Sequence, residues 1–181
     1  MRKFDSKDEM YFQWYLEELV KDGEVEKFYF QHPVFHICES KSYTKAANGK
    51  GKKYTLLREH DYTADFMIVW SELAKERYTT VLSEDKCIVY PRNFFTSQIL
   101  PNSEGKLVSV IEIKPKFDRY NMTRLFKINQ KIVYNLYNVY VQEVNYLTVF
   151  KNTFVPQRYL LTDSNKHKRK INFNYVEKSR Y

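Results

Sequence analysis

The chain is poor in sulfur and in glycine, with two cysteines, Cys38 and Cys87, and four glycines, and it opens with no apolar run resembling a leader or a membrane span. Two thiols are too few for a disulfide scaffold, and with no leader the expectation is a soluble protein of the cytoplasm. Scarce glycine argues against a linker or low-complexity chain. No glycine-rich phosphate loop or dinucleotide fingerprint is present, so no nucleotide cofactor is expected, and no local motif suggests a Ser/His/Asp set. His32, His36, Cys38 and Cys87 are zinc-type ligands, but no paired spacing frames them, and they read as partly buried histidines and core thiols. Internal repeats are absent. Acids are the minority: 22 Asp and Glu against 30 Lys and Arg give a net charge of +8, which favours polyanions, nucleic acid being the commonest.

At 181 residues the chain can bury one real core, and 1–164 reads as a single domain followed by a basic C-terminal tail, 165–181. Positive charge gathers in KSYTKAANGKGKK (41–53) and NKHKRK (165–170), two polar stretches that read as a mobile basic loop and tail able to meet phosphates. Ser6 with Glu9 three residues on is a capping-box start for a first helix that ends near Gly23. On its wheel Phe12, Leu16, Leu19 and Val20 gather with Glu9 on one face, and Glu18 points away. VEKFYF and VFHIC read as strands around a His32-Pro33 turn, and YTLLREH and YTADFMIVW as a hairpin or kinked strand divided at Asp61. Residues 71–106 read as an insertion or peripheral subelement. A second helix spans 121–137 with Leu125, Ile128, Ile132 and Leu136 as its apolar stripe, and VYVQEV, LTVF and TFVPQRYLL are further strand candidates. The order of elements predicts an α/β (α+β) domain with a mixed central sheet flanked by helices.

One stretch poses a chemical question. In VSVIEIKPKF, strand alternation puts Val108, Val110, Glu112 and Lys114 on one face and Leu107, Ile111 and Ile113 on the other, before Pro115 ends the ladder. An acid and a base on the face of a buried strand cost several kcal/mol unless partnered. Asp65, at the start of another strand, shares a face with Met67 and Val69, where an apolar residue is normal, and Glu9 lies on the core side of the first helix. Three carboxylates from different elements suit Mg²⁺, which takes hard oxygen ligands, and an ammonium beside them can orient water or stabilise charge on a phosphate. Metal-assisted phosphodiester hydrolysis uses that set of parts.

YTADF followed by IEIK resembles the signature of the PD-(D/E)XK nuclease superfamily. SKDE (Ser6 to Glu9), YTADF and Glu-x-Lys in that order are similar to the branch of phage endonuclease I-type Holliday-junction resolvases and transposase endonuclease subunits. The resemblance spans about residues 2–160. It implies a restriction-endonuclease-like core and a Mg²⁺- or Mn²⁺-dependent DNA endonuclease, phage-encoded and acting on branched DNA, that leaves a 5′-phosphate. Glu9, Asp65 and Glu112 would be its metal ligands and Lys114 its catalytic lysine. It also implies a homodimer. Ala64 replaces the branch's usual proline, and the Asp65–Glu112 gap is long, which requires 71–106 to be an insertion. Gln130 and Tyr134 are similar to a Gln-x-x-x-Tyr motif of the exonuclease-like branch, although ordinary polar helix positions explain them equally. His60 reads as a hydrogen-bonded strand histidine. Lys52, Lys53, Lys116, Arg119 and Arg124 are the basic residues expected along DNA. Two rival readings stand beside the endonuclease: a non-catalytic DNA-binding module with the same fold, and an interaction protein in which Glu112 and Lys114 are only an ion pair.

Overall fold

A computed structural model describes residues 4–47, 50–82, 94–115, 122–164 and 166–176. The chain runs α1 (Lys7–Lys21), β1 (Val25–Phe30), β2 (Val34–Cys38), β3 (Lys41–Ala47), β4 (Lys50–Leu57), β5 (His60–Thr63), β6 (Phe66–Trp70), α2 (Lys75–Tyr78), β7 (Thr79–Val81), β8 (Phe95–Ile99), β9 (Leu107–Ile113), α3 (Met122–Tyr137), β10 (Val141–Val144) and α4 (Tyr146–Asn152). It is an α+β fold about a mixed sheet in the order β1-β6-β9-β8-β7. β9 pairs antiparallel with β6 along one edge, and its other edge is shared: Leu107 and Val108 face antiparallel β8, while Val110 to Ile113 face parallel β10. With neighbours on both edges and cover on both faces, all seven residues of β9 are buried.

The faces separate as alternation requires. Leu107, Ile111 and Ile113 join Phe66, Ile68, Trp70 and Phe95 in a core closed by Phe12, Tyr15 and Leu16 of α1 and Phe150 of α4. Val108 and Val110 join Val69, Phe35 and Tyr62 beneath Phe126 and Val133 of α3. Gly23, at φ +73°, takes the left-handed turn that lets β1 reverse from α1.

Several expectations need correction. Residues 41–47 and 50–53 are strand and not loop, because β3 and β4 form a two-stranded ribbon in which Tyr43 faces Tyr54 and Thr44 faces Lys53; aromatic and β-branched residues outweigh the lysine content. β5 pairs with β2 and not with β6. Part of 71–106 is central: β8 lies against β9, and Phe95 is wholly buried. Residues 83–93 lie outside the described residues. In α1 Val20 is exposed and Glu18 buried, because Tyr11, Trp14 and Tyr15 widen the buried arc. In α3 the expected stripe faces outward: Leu125, Ile128 and Leu136 are half exposed, and Phe126, Asn129 and Val133, about a quarter of a turn away, make the contact. LTVF is helical within α4, started by Asn145 accepting from the Thr148 N–H, and residues 157–160 are a 3₁₀ turn. Residues 166–170 fold back on the body, with the Arg169 guanidinium against the Tyr11 and Tyr159 rings and bonded to Asp163. Among the described residues no helix is long and apolar enough to cross a membrane.

Candidate functional site

Three elements end at one place. β6 and β9 run antiparallel with Phe66 opposite Ile111, so Asp65 and Glu112 follow at the same end of the sheet. The Ile113 N–H donates to Asp65 Oδ2 at 2.7 Å, locking the carboxylate to the motif strand. Glu112 is 7% exposed and both its oxygens are engaged. The Tyr62 hydroxyl donates to Oε2 at 2.8 Å, and the Lys114 ammonium sits 2.7 Å from Oε1. The acid and base on one strand face are therefore an ion pair. Lys114 is held in turn by its N–H to the Val144 carbonyl, by Asn145 Nδ2 to its own carbonyl, and by the Phe126 ring 5.8 Å beneath the ammonium.

Glu9 is a cap residue that also lies near the other two acids. As a cap residue it accepts from the Ser6 hydroxyl at 2.7 Å while its own N–H donates to Ser6 Oγ. It is also only 6% exposed and within electrostatic range of Glu112 and Asp65. Burial, then the Glu112 charge and to a smaller degree Glu9, push the Asp65 carboxyl up to about 8, with the Ile113 N–H and Lys114 opposing. Burial raises Glu9 as well, with Glu112 adding to it, and burial beside Glu112 drives the Tyr62 phenol far above its ordinary value. Among the described residues three acids face one ammonium here, so positive charge is in deficit. Its hard oxygen donors fit a hard divalent cation.

The acids are neighbours without being gathered to a point. Among the described residues the one group of three ligand atoms all within 4.8 Å of one another lies elsewhere, at His36, Glu59 and Asp61 on β2 and before and within β5. That group could hold a metal ion. His36 Nδ1 lies 2.7 Å from Asp61 Oδ1, which raises the imidazole pKa, and Glu39 approaches Nε2 at 3.2 Å. No family model, curated protein or solved structure matches the chain.

The remaining candidates scatter. Lys52 and Lys53 are exposed on β4, and Arg124 is exposed on α3. Lys116 and Arg119 lie outside the described residues. Gln130 donates to the Val141 carbonyl and so ties α3 to β10, while Tyr134 is exposed. His60 bonds Asn129 at 3.2 Å, as a strand histidine should. Cys38 is a free thiol, and Cys87 lies outside the described residues. Sequence reasoning missed Tyr62, which stands inside YTADF, and missed Glu59 and Asp61, whose signal was the β2–β5 pairing that puts Asp61 opposite His36. An apolar cleft of about 570 Å³, lined among others by Tyr29, Phe35, Met67, Val69 and Val108, lies on the α3 face and includes none of the four charged site residues.

Proposed function

We propose that the protein is a divalent-metal-dependent DNA endonuclease with Glu9, Asp65 and Glu112 as cation ligands and Lys114 as its catalytic lysine. The observation that carries this reading is the crowding of three mutually repelling acids at one end of the sheet, Glu9 of α1 and Glu112 of β9 buried and Asp65 just before β6 partly buried, with an ammonium 2.7 Å from Glu112. Stability alone would favour apolar residues there. The order of these residues along the chain, and their resemblance to the PD-(D/E)XK pattern, supports the same assignment, with Mg²⁺ or Mn²⁺ as the cation. A bound divalent ion supplies charge to offset that developing on the phosphate and makes water more acidic.

The chain's own residues supply the rest. Asp65 is fixed by the Ile113 N–H and Glu9 by Ser6, and both carboxylates lie within electrostatic range of Glu112. Tyr62 orients Glu112 through Oε2 and leaves Oε1 to Lys114. Glu112 would help hold the cation, and the Lys114 ammonium beside it would orient water or stabilise a phosphate oxygen. A second reading, a DNA-binding module without turnover, is favoured by the acids not being gathered within 4.8 Å and by the closed Lys114–Glu112 pair.

The test is cleavage of a labelled four-way junction, a flap and a plain duplex with Mg²⁺, Mn²⁺ or EDTA, by wild type, Glu112→Ala and Lys114→Ala. Metal-dependent cutting abolished by both substitutions, with DNA binding retained, supports the endonuclease. Salt-sensitive binding without cutting of any substrate supports the module.

A further inference from the structure

The β3–β4 ribbon is an unusual way to spend 17 residues. From 41 to 46 and from 51 to 57 every side chain is exposed, so the ribbon packs chiefly on itself. An isolated two-stranded ribbon is marginal in water. This one also carries a pairing that works against it. Lys45 stands directly opposite Lys52, and like charges opposite one another destabilise a ladder. Residues 41–57 hold five lysines and no acid, and among the described residues no carboxylate pairs with Lys45, Lys52 or Lys53. The described side chains of the ribbon therefore present uncompensated positive charge to solvent.

Its two faces differ. Opposed residues share a face and successive residues alternate, so Tyr43, Tyr54, Lys45 and Lys52 fall on one face, while Thr44, Lys53, Ala46 and Gly51 fall on the other. The tyrosine rings stack at 5.5 Å between centroids and 20° between planes, and the Lys52 ammonium lies 5.5 Å from the Tyr54 ring centroid. On the opposite face Gly51 leaves room for Thr44, whose methyl a Cβ at 51 would meet at 2.7 Å. Two exposed aromatic rings with two unpaired ammonium groups beside them, both on the Ala46–Gly51 side of the rings, match an unpaired base and the phosphates next to it along one direction of the strand.

We infer that the Tyr43–Tyr54–Lys45–Lys52 face of this ribbon binds single-stranded or splayed nucleic acid, stacking a base on the tyrosines and holding its phosphates with the lysines. Lys53, on the far face, plays no part. The inference deepens the nucleic-acid reading above but does not need cleavage, so it is tested in EDTA.

Fluorescence anisotropy would compare a labelled mixed-sequence oligodeoxynucleotide, the same sequence as a blunt duplex, and heparin as a polyanion without bases. Wild type should prefer the single strand. Tyr43→Val/Tyr54→Val, which keeps strand-forming residues in both places, should weaken the single strand about 10-fold and leave heparin unchanged; Tyr43→Trp/Tyr54→Trp should retain binding. Lys52→Gln should weaken both ligands and lower the salt slope by roughly 1, and its neighbour Lys53→Gln should not. Unchanged single-strand binding by the valine variant, equal losses from Lys52→Gln and Lys53→Gln, preference for the blunt duplex, or no binding by wild type would each overturn the proposal. Single-strand binding that follows this pattern in a protein that cuts nothing would refute the endonuclease and leave the ribbon's role standing.

Discussion

Asp65→Asn should make the metal-free protein more stable, although it deletes a carboxylate proposed as a cation ligand. Asn keeps the oxygen that accepts the Ile113 N–H and removes the charge that burial and Glu112 oppose. A carboxyl whose folded pKa is raised contributes stability that is complete below its unfolded value and is lost as pH rises toward the folded one. For Asp65 that window runs from 3.8 to about 8. The limiting slope is ~1.4 kcal/mol per pH unit. Because Glu112 shares the repulsion, about half of the total should be recovered, roughly 2–3 kcal/mol at pH 8, or about 5–10 °C in melting temperature for a chain of this size. The assay is thermal unfolding of wild type and variant in EDTA from pH 4 to 9. The variant's advantage should be near zero at pH 4, grow up to about pH 8 and then level. Added Mg²⁺ should stabilise wild type more than the variant. A gain independent of pH, or a loss at pH 8, would refute the claim that Asp65 is held among buried acids.

Three further outcomes are expected. Tyr62→Phe removes the hydroxyl that donates to Glu112 Oε2 and should cost about 1.5–3 kcal/mol by denaturant titration, with metal affinity falling by about 10-fold or more in calorimetry. Phe95→Ala should cost about 3–5 kcal/mol, since the ring is 1% exposed between Phe12 and Trp70; a loss under 1 kcal/mol would return β8 to the periphery. Asp163, held down to about 2 by Lys7 and then Arg169, has a depressed pKa, so its tether is complete above 3.8 and is lost as pH falls toward 2. Asp163→Asn should therefore speed tryptic cleavage near Arg169 at neutral pH, and an unchanged cleavage rate would show that the aromatic contacts of Arg169 alone hold the segment.

Much of the candidate site was legible because it depends on local rules. Ser6 and Glu9 form the cap that their spacing promised, and strand alternation put Glu112 and Lys114 side by side. What escaped depended on partners distant in sequence. Nothing local says that β5 leaves β6 to pair with β2, so the His36–Asp61 contact was invisible. The α3 stripe misled because Leu125, Ile128, Ile132 and Leu136 satisfy helical periodicity as well as the Phe126–Val133 arc, and only the packed sheet selects between them. Lysine density concealed the ribbon, whose strand signal rests on Tyr43, Thr44, Tyr54 and Thr55.

The divided edge of β9 sets a timetable for synthesis. All four charged site residues have been added once residue 114 is made, yet the half of β9 that bears Glu112 gains its second neighbour from residues 141–144, and the Lys114 N–H finds its acceptor at Val144. A nascent chain halted between these points carries all three acids and the lysine, but the β9 half that bears Glu112 has one bare flank. The site is assembled only after residues 141–144 are made, and products truncated before them should carry its residues without its geometry.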